Sequence, residues 1–377
     1  MRNTPGGGLP PHQNAATEDS APITYASYLK LGEILGAQDP ESVRHGVDAH
    51  DELLFIIVHQ AYELWFKQIL HELDRLQDDF AHDPLDDWRL ARMVHGLNRV
   101  HEILKLGVQQ LDVLETMTPQ DFLDFRDLLS SSSGFQSLQF RLIETRLGLG
   151  SARRLLFEGK TVDQDMSEPE RAAFYAAEAA PSVRDQLEAW LTRTPFVTGE
   201  NYAFREAYRS AVTAMLTRER QSARAADDTD EAATLGRALA AFQAIFEPDA
   251  KEAGWTMNPR AVEAALFITV YRDAPALHMP HALLSALMDI DGAMALWRHR
   301  HAIMVERMIG MRAGTGGSSG HEYLARTARE HRVFTDLFRL STYLIPRSAL
   351  PPLPAEIERR LGLVYSAEPA AAVRQAG

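Results

Sequence analysis

Residues 51–80 read DELLFIIVHQAYELWFKQILHELDRLQDDF. Apolar side chains recur three and four positions apart along the whole stretch, which is the period of an amphipathic helix. A helix is therefore expected from Asp51 to Phe80. Within it Phe55, His59, Tyr62 and Phe66 lie four, three and four residues apart and share one face. A buried polar side chain is costly unless something bonds it. His59, framed by aromatics, is thus either a core histidine with an ordinary partner or a residue facing a site.

Working outward, the same period governs most of the chain from Tyr25, and alternating β-branched runs are few. Helices are expected at Tyr25 to Leu35, Asp86 to Glu115, Pro119 to Leu128, Phe135 to Leu147, Val183 to Leu191, Arg205 to Ala225 and Thr229 to Phe246. Further helices are expected at Pro259 to Tyr271, Pro280 to Met311 with a break, Glu322 to Phe338 and Pro354 to Leu361. The fold class is all-α. TPQD places Thr118 as N-cap, Pro119 in the first helical position and Asp121 in the first turn. SSSSGF is expected to stop that helix at Gly134. RAADDTDEAA reads as a solvated surface turn.

Composition bounds the function. The chain has 377 residues, 45% of them hydrophobic and 24% charged, enough for one large globular core. A formal charge of -13 disfavours nucleic acid and anionic membrane, both of which recruit clustered Lys and Arg. With no cysteine, any metal must use His, Asp, Glu or Tyr, and a cytoplasmic location is compatible. Residues 1–22, rich in Gly, Pro and polar side chains and without an apolar h-region, read as a disordered tail rather than a secretory signal. Residues 23–365 then form a single helical domain, and 366–377 a flexible C-terminal tail. No apolar run approaches the roughly 20 residues that span a bilayer.

Three segments could carry chemistry. In WRHRHAIMVERMIGMRAGTGGSSG, Trp297, Met304, Val305 and Met308 lie at offsets of minus four, three, four and seven from His301, an inward stripe, while His299 points the other way. An inward histidine in such a wall suits an axial ligand to haem iron, or is simply another core histidine. The GTGGSSG that follows, Gly314 to Gly320, lacks the Lys-Ser/Thr of a P-loop and fails the GxGxxG spacing. It could fold closely over a cofactor or substrate, with Thr315 offering a hydroxyl. In MTPQDFLDFRDLLSSSSGFQSLQFR, Phe122 and Arg126 share a face, an aromatic surface beside a guanidinium fork that fits a carboxylate-bearing aromatic molecule. The plain alternative is a surface arginine covering its own helix. HExxH, the ferritin-like Glu-x-x-His and GxSxG are all missing.

Taken in order, YASYLKL, HDELLFIIVHQAYELWFKQILHELD, MTPQDFLDFRDLLSSSSGFQSLQFRLIE, LMDID, WRHRHAIMVERMIGMRAGTGGSSG and VFTDLFRLSTYLIPR run from about Tyr25 to about Arg347. This chain resembles the tryptophan 2,3-dioxygenase family, haem enzymes of all-α fold, over nearly its whole length. The resemblance implies His301 as proximal ligand of haem b iron, ferrous in the active form, and His59 as the distal histidine near the indole N–H. It implies Phe55 and Phe122 against the indole, Arg126 and Thr315 on the substrate carboxylate and ammonium, and Ser133 and Gly134 beside the haem. Tyr25 and Tyr28 would enter a neighbouring subunit's site in a cytoplasmic homotetramer. The implied reaction cleaves the indole C2–C3 bond of L-tryptophan with O2 to give N-formylkynurenine, the first step of tryptophan catabolism by the kynurenine route. A relative with the same fold and haem that inserts one oxygen atom into a substituted tryptophan is the alternative. A catalytically silent helical scaffold is the alternative of a different class.

Overall fold

In a computed structural model, residues 22–129, 134–156, 161–195, 198–199, 202–245, 254–310 and 320–362 are described. Their order begins with three short helices, α1 (Tyr25–Tyr28), α2 (Leu31–Ile34) and α3 (Glu41–His45). Two long helices follow, α4 (Glu52–Phe80) and α5 (Asp87–Leu114), then α6 (Pro119–Arg126), α7 (Leu138–Leu147), α8 (Glu168–Ala179) and α9 (Val183–Thr192). After a two-residue antiparallel ladder pairing Thr198 with Ala203 come α10 (Phe204–Ala225), α11 (Thr229–Ile245) and α12 (Pro259–Val270). The chain closes with α13 (His278–Ile309), α14 (Gly320–Glu330), α15 (Thr335–Arg339) and α16 (Ala355–Leu361). The fold is all-α.

Packing follows the sequence period. α4 buries Val58, Tyr62, Phe66, Ile69, Leu73 and Leu76, its inward stripe, and α5 answers with Leu90, Met93, Leu97, Val100, Leu104 and Leu111. Each such side chain contributes roughly 1.5–3 kcal/mol when fully buried. α5 packs against both α4 and α13, so the helix of His59 and the helix of His301 share one partner. Buried apolar residues of α4–α7, α9–α13, α15 and α16 form a continuous cluster. No helix of the described residues is long and apolar enough to cross a membrane.

Local chemistry sets the ends. Thr118 Oγ1 accepts the Asp121 N–H while the Asp121 carboxylate accepts the Thr118 N–H, with Pro119 opening α6. Gly310, at φ 59°, closes α13. The Glu52 carboxylate, itself buried, accepts the backbone N–H groups of Glu41 and Ser42 at 2.9 and 2.8 Å, fastening α3 to the start of α4.

The structure departs from expectation in several places. Tyr25 to Leu35 is two helices, because Lys30 takes a left-handed conformation (φ 55°) between them. The expected break in Pro280 to Met311 is missing; Pro280 sits in the first turn, where its lost N–H has no intrahelical partner to forfeit. Glu322 to Phe338 divides at 331–334, where the buried Asp291 carboxylate takes the Val333 N–H (2.8 Å) and the Arg332 side chain (2.9 Å). The helix from Pro119 passes into a 3-10 turn at Asp127–Leu129, and Gly134 opens another, Gly134–Gln136, instead of terminating it. α3 and α8 were not expected. The 226–228 turn is exposed, as its charge pattern predicts.

Candidate active site

A cavity of about 240 Å³ lies among α4, α5, α6, α7, α13 and α14. Phe55, His59, Phe122, Arg126, Gly134 and His301 all line it. Six of the residues singled out in sequence, from three separated segments, are thus brought to one place. Ser133 and Thr315 lie outside the described residues, as do residues 1–21, the C-terminal tail and most of the Gly-rich loop. Tyr25 and Tyr28 do not reach this cavity; they are 77% and 75% exposed.

One wall is α4. His59 Nδ1 lies 2.7 Å from the Phe55 carbonyl oxygen one turn earlier, and because a carbonyl only accepts, Nδ1 carries the proton. Nε2 is left as an acceptor. Burial pushes the imidazole below its ordinary value, against the Phe55 hydrogen bond and the Glu63 carboxylate, so the ring is neutral at neutral pH. Phe55, 4.1 Å from His59 between ring centroids, also meets Phe122 at 5.8 Å and Phe125 at 5.6 Å, giving an aromatic corner beside Arg126.

The facing wall is α13, whose Trp297, His301, Met304, Val305 and Met308 all line the cavity. Trp297 stacks on His301 at 5.0 Å and 8°. Trp297 in turn donates Nε1–H to the Tyr62 hydroxyl (3.4 Å), which donates to the Gly107 carbonyl (2.6 Å). Burial pushes Tyr62 up to about 12. Burial also lowers His301, to about 4, so this ring too is neutral. Its Nδ1 is buried with no hydrogen-bond partner.

A third wall escaped sequence reading. Glu144 on α7 is buried and accepts from Arg141 (3.0 Å), Arg298 (2.8 Å) and Arg154, with His331 3.9 Å away. Burial alone would raise this carboxyl, but Arg154, Arg141, His331 and Arg298 hold it well below the usual range. His331 Nε2 accepts the Leu155 N–H at 3.0 Å, which leaves Nδ1 as the donor side toward Glu144. Glu63 likewise went unnoticed: it lines the cavity one turn beyond His59 and accepts from Ser137 and Gln139. Its signal was present in part, since it shares the spacing of the His59 face.

Among the described residues no group of three or more His, Asp or Glu side chains is placed to hold a bare metal ion. The cavity offers instead a neutral imidazole with an unpartnered buried nitrogen in an apolar wall, a second imidazole held as an acceptor, an aromatic corner, and guanidinium groups.

The family model for tryptophan 2,3-dioxygenase matches residues 11–344. A tryptophan 2,3-dioxygenase of Bdellovibrio bacteriovorus is 45% identical over 355 residues, covering 91% of this chain and 99% of that protein. That of Anopheles gambiae is 42% identical over 359 residues (92% and 91%), and that of Dictyostelium discoideum 38% over 356 (91% and 89%). Both the match over nearly the whole chain and the level of identity lead to one conclusion: this chain belongs to the tryptophan 2,3-dioxygenase family.

Proposed function

We propose that the chain is a haem-dependent dioxygenase cleaving the indole C2–C3 bond of L-tryptophan with O2 to give N-formylkynurenine, the first step of tryptophan catabolism. The observation that carries this reading is the convergence of His59, Arg126 and His301 on one cavity with an aromatic corner.

The residues present fit haem b. His301 has a neutral ring, an unpartnered buried nitrogen and apolar neighbours, the donor chemistry that a haem iron would take from the protein. His301 would bind the iron, and Gly134, with Ser133 beside it in sequence, would border the ring. Bound there in its ferrous form, haem supplies the activation of O2 that the indole ring requires.

The chain's own residues select and orient. Phe55 and Phe122 present ring faces to the indole. His59 Nε2, held as an acceptor by the Nδ1–H bond to Phe55, takes the indole N–H as a hydrogen bond. That role is positioning rather than deprotonation, because indole is far too weak an acid for imidazole to strip. Arg126 binds the carboxylate, and Thr315 the ammonium. An indole without the carboxylate leaves the guanidinium without its substrate partner, and the site discriminates against it.

The reading extends to a cytoplasmic homotetramer in which Tyr25 and Tyr28 complete a neighbour's site. Supporting it, α1 and α2 bury no residue of their own, and Ile23, Tyr25, Tyr28 and Leu35 are all exposed. The test is turnover. Haem-loaded, reduced protein should convert L-tryptophan and O2 to N-formylkynurenine, and a properly loaded protein that consumes no tryptophan would contradict the proposal.

A further inference from the structure

We propose that Glu63 is a positioning residue of the reaction, fastening the start of α7 to the helix that carries His59. The inference rests on the tryptophan-cleaving reading above.

Glu63 is half-buried on α4, four residues past His59, and lines the cavity together with Ser137. Its carboxylate accepts the Ser137 hydroxyl at 2.6 Å through Oε1 and the Gln139 side-chain amide at 2.8 Å through Oε2. The same amide also donates to the Glu63 backbone carbonyl at 2.8 Å. Three hydrogen bonds thus join a single residue of α4 to the first turn of α7, across 74 and 76 positions of sequence.

Ser137 does two things at once. As the N-cap of α7 its Oγ accepts the Phe140 N–H at 3.2 Å, and its own proton goes to Glu63. A carboxylate at this point fixes the direction of the hydroxyl proton and keeps an oxygen lone pair turned toward the helix. Hydrogen bonds to an ionised acceptor are the strong ones, worth roughly ten- to a hundredfold in an equilibrium.

What the clamp holds matters to both walls. Ser137 and Phe140, at the start of α7, line the cavity that His59 also lines. On the other side, Phe140 lies 5.1 Å from Trp297, the ring stacked on His301. Releasing the clamp lets the α7 wall of the cavity drift from the His59 side, and tryptophan affinity suffers before the chemical step does.

The test uses the haem-loaded enzyme. Glu63→Ala should raise the tryptophan KM about ten- to a hundredfold with kcat changed much less, while Glu63→Gln, which keeps an acceptor oxygen for Ser137, should return KM most of the way. Ser137→Ala should raise KM as well, and the double variant Glu63→Ala/Ser137→Ala should fall short of the product of the two single effects, because both remove the same Ser137–Glu63 bond. If Glu63→Ala fails to fold, Glu63→Gln against Ser137→Ala carries the same comparison. Unchanged KM in Glu63→Ala and Ser137→Ala, or singles whose effects multiply in the double variant, would overturn the inference. Wild-type protein that consumes no tryptophan overturns the underlying reading instead.

Discussion

His59 on α4 and His301 on α13 line one cavity, and burial lowers the proton affinity of both, yet their ring nitrogens are engaged differently. His59 gives its Nδ1 proton to the Phe55 carbonyl of its own helix, which fixes both tautomer and tilt. His301 makes no such bond at Nδ1; its plane is held by stacking on Trp297, which is itself tied through Tyr62 to Gly107 of α5. One histidine is prepared as a hydrogen-bond acceptor of fixed orientation. The other is a neutral donor atom in a greasy wall, held without spending its nitrogens on protein partners.

The severest way to break that contrast is His301→Ala. The native Soret band of the haem-loaded protein should disappear and tryptophan turnover with it; an unchanged spectrum would remove His301 from the iron. Next comes Arg126→Met. With a charge-assisted bond worth about 1.5–3 kcal/mol, steady-state kinetics should show the tryptophan KM rising about ten- to a hundredfold, while tryptamine, which has no carboxylate, should be nearly indifferent.

His59→Ala should cost less, because a neutral hydrogen bond is worth only about 0.5–1.5 kcal/mol, or at most roughly tenfold in kcat/KM. Its pH profile is the sharper readout. Since burial places the His59 pKa below its ordinary value, the ring is neutral at neutral pH and gains a proton only as pH falls through that lowered value. Protonated Nε2 cannot accept the indole N–H, so kcat/KM should fall on the acid side in the wild type, and that limb should vanish in the variant. The smallest effect is expected from deleting residues through Tyr28. Tryptophan should bind a few-fold more weakly with the Soret band retained, and an undisturbed affinity would mean that each subunit's site is self-contained.

Much of this contrast was legible before the structure. The 3.6-residue period drew α4, α5 and α13, and it put His59 and His301 on the inner faces of their helices. Capping chemistry gave the start of α6. What stayed hidden depends on partners distant in sequence. Asp291 stops a helix 42 residues away by taking the Val333 N–H, and nothing local in EHRVF announces it. Glu144 and Glu63 look like ordinary polar positions on helices; only their arginine, serine and glutamine partners, brought in by the fold, make them part of the cavity wall. α8 could have been found, since Ser167 and Glu170 form a reciprocal cap around Pro169. Its apolar face, with Phe174 alone fully buried, is thin enough to pass for a surface loop.

The most direct test of the central claim is the mass of the product formed under isotopically labelled O2. The haem-loaded, reduced protein given L-tryptophan should yield N-formylkynurenine carrying two labelled oxygen atoms. A product carrying one labelled atom would contradict cleavage by a dioxygenase and leave a monooxygenase in the same helical frame.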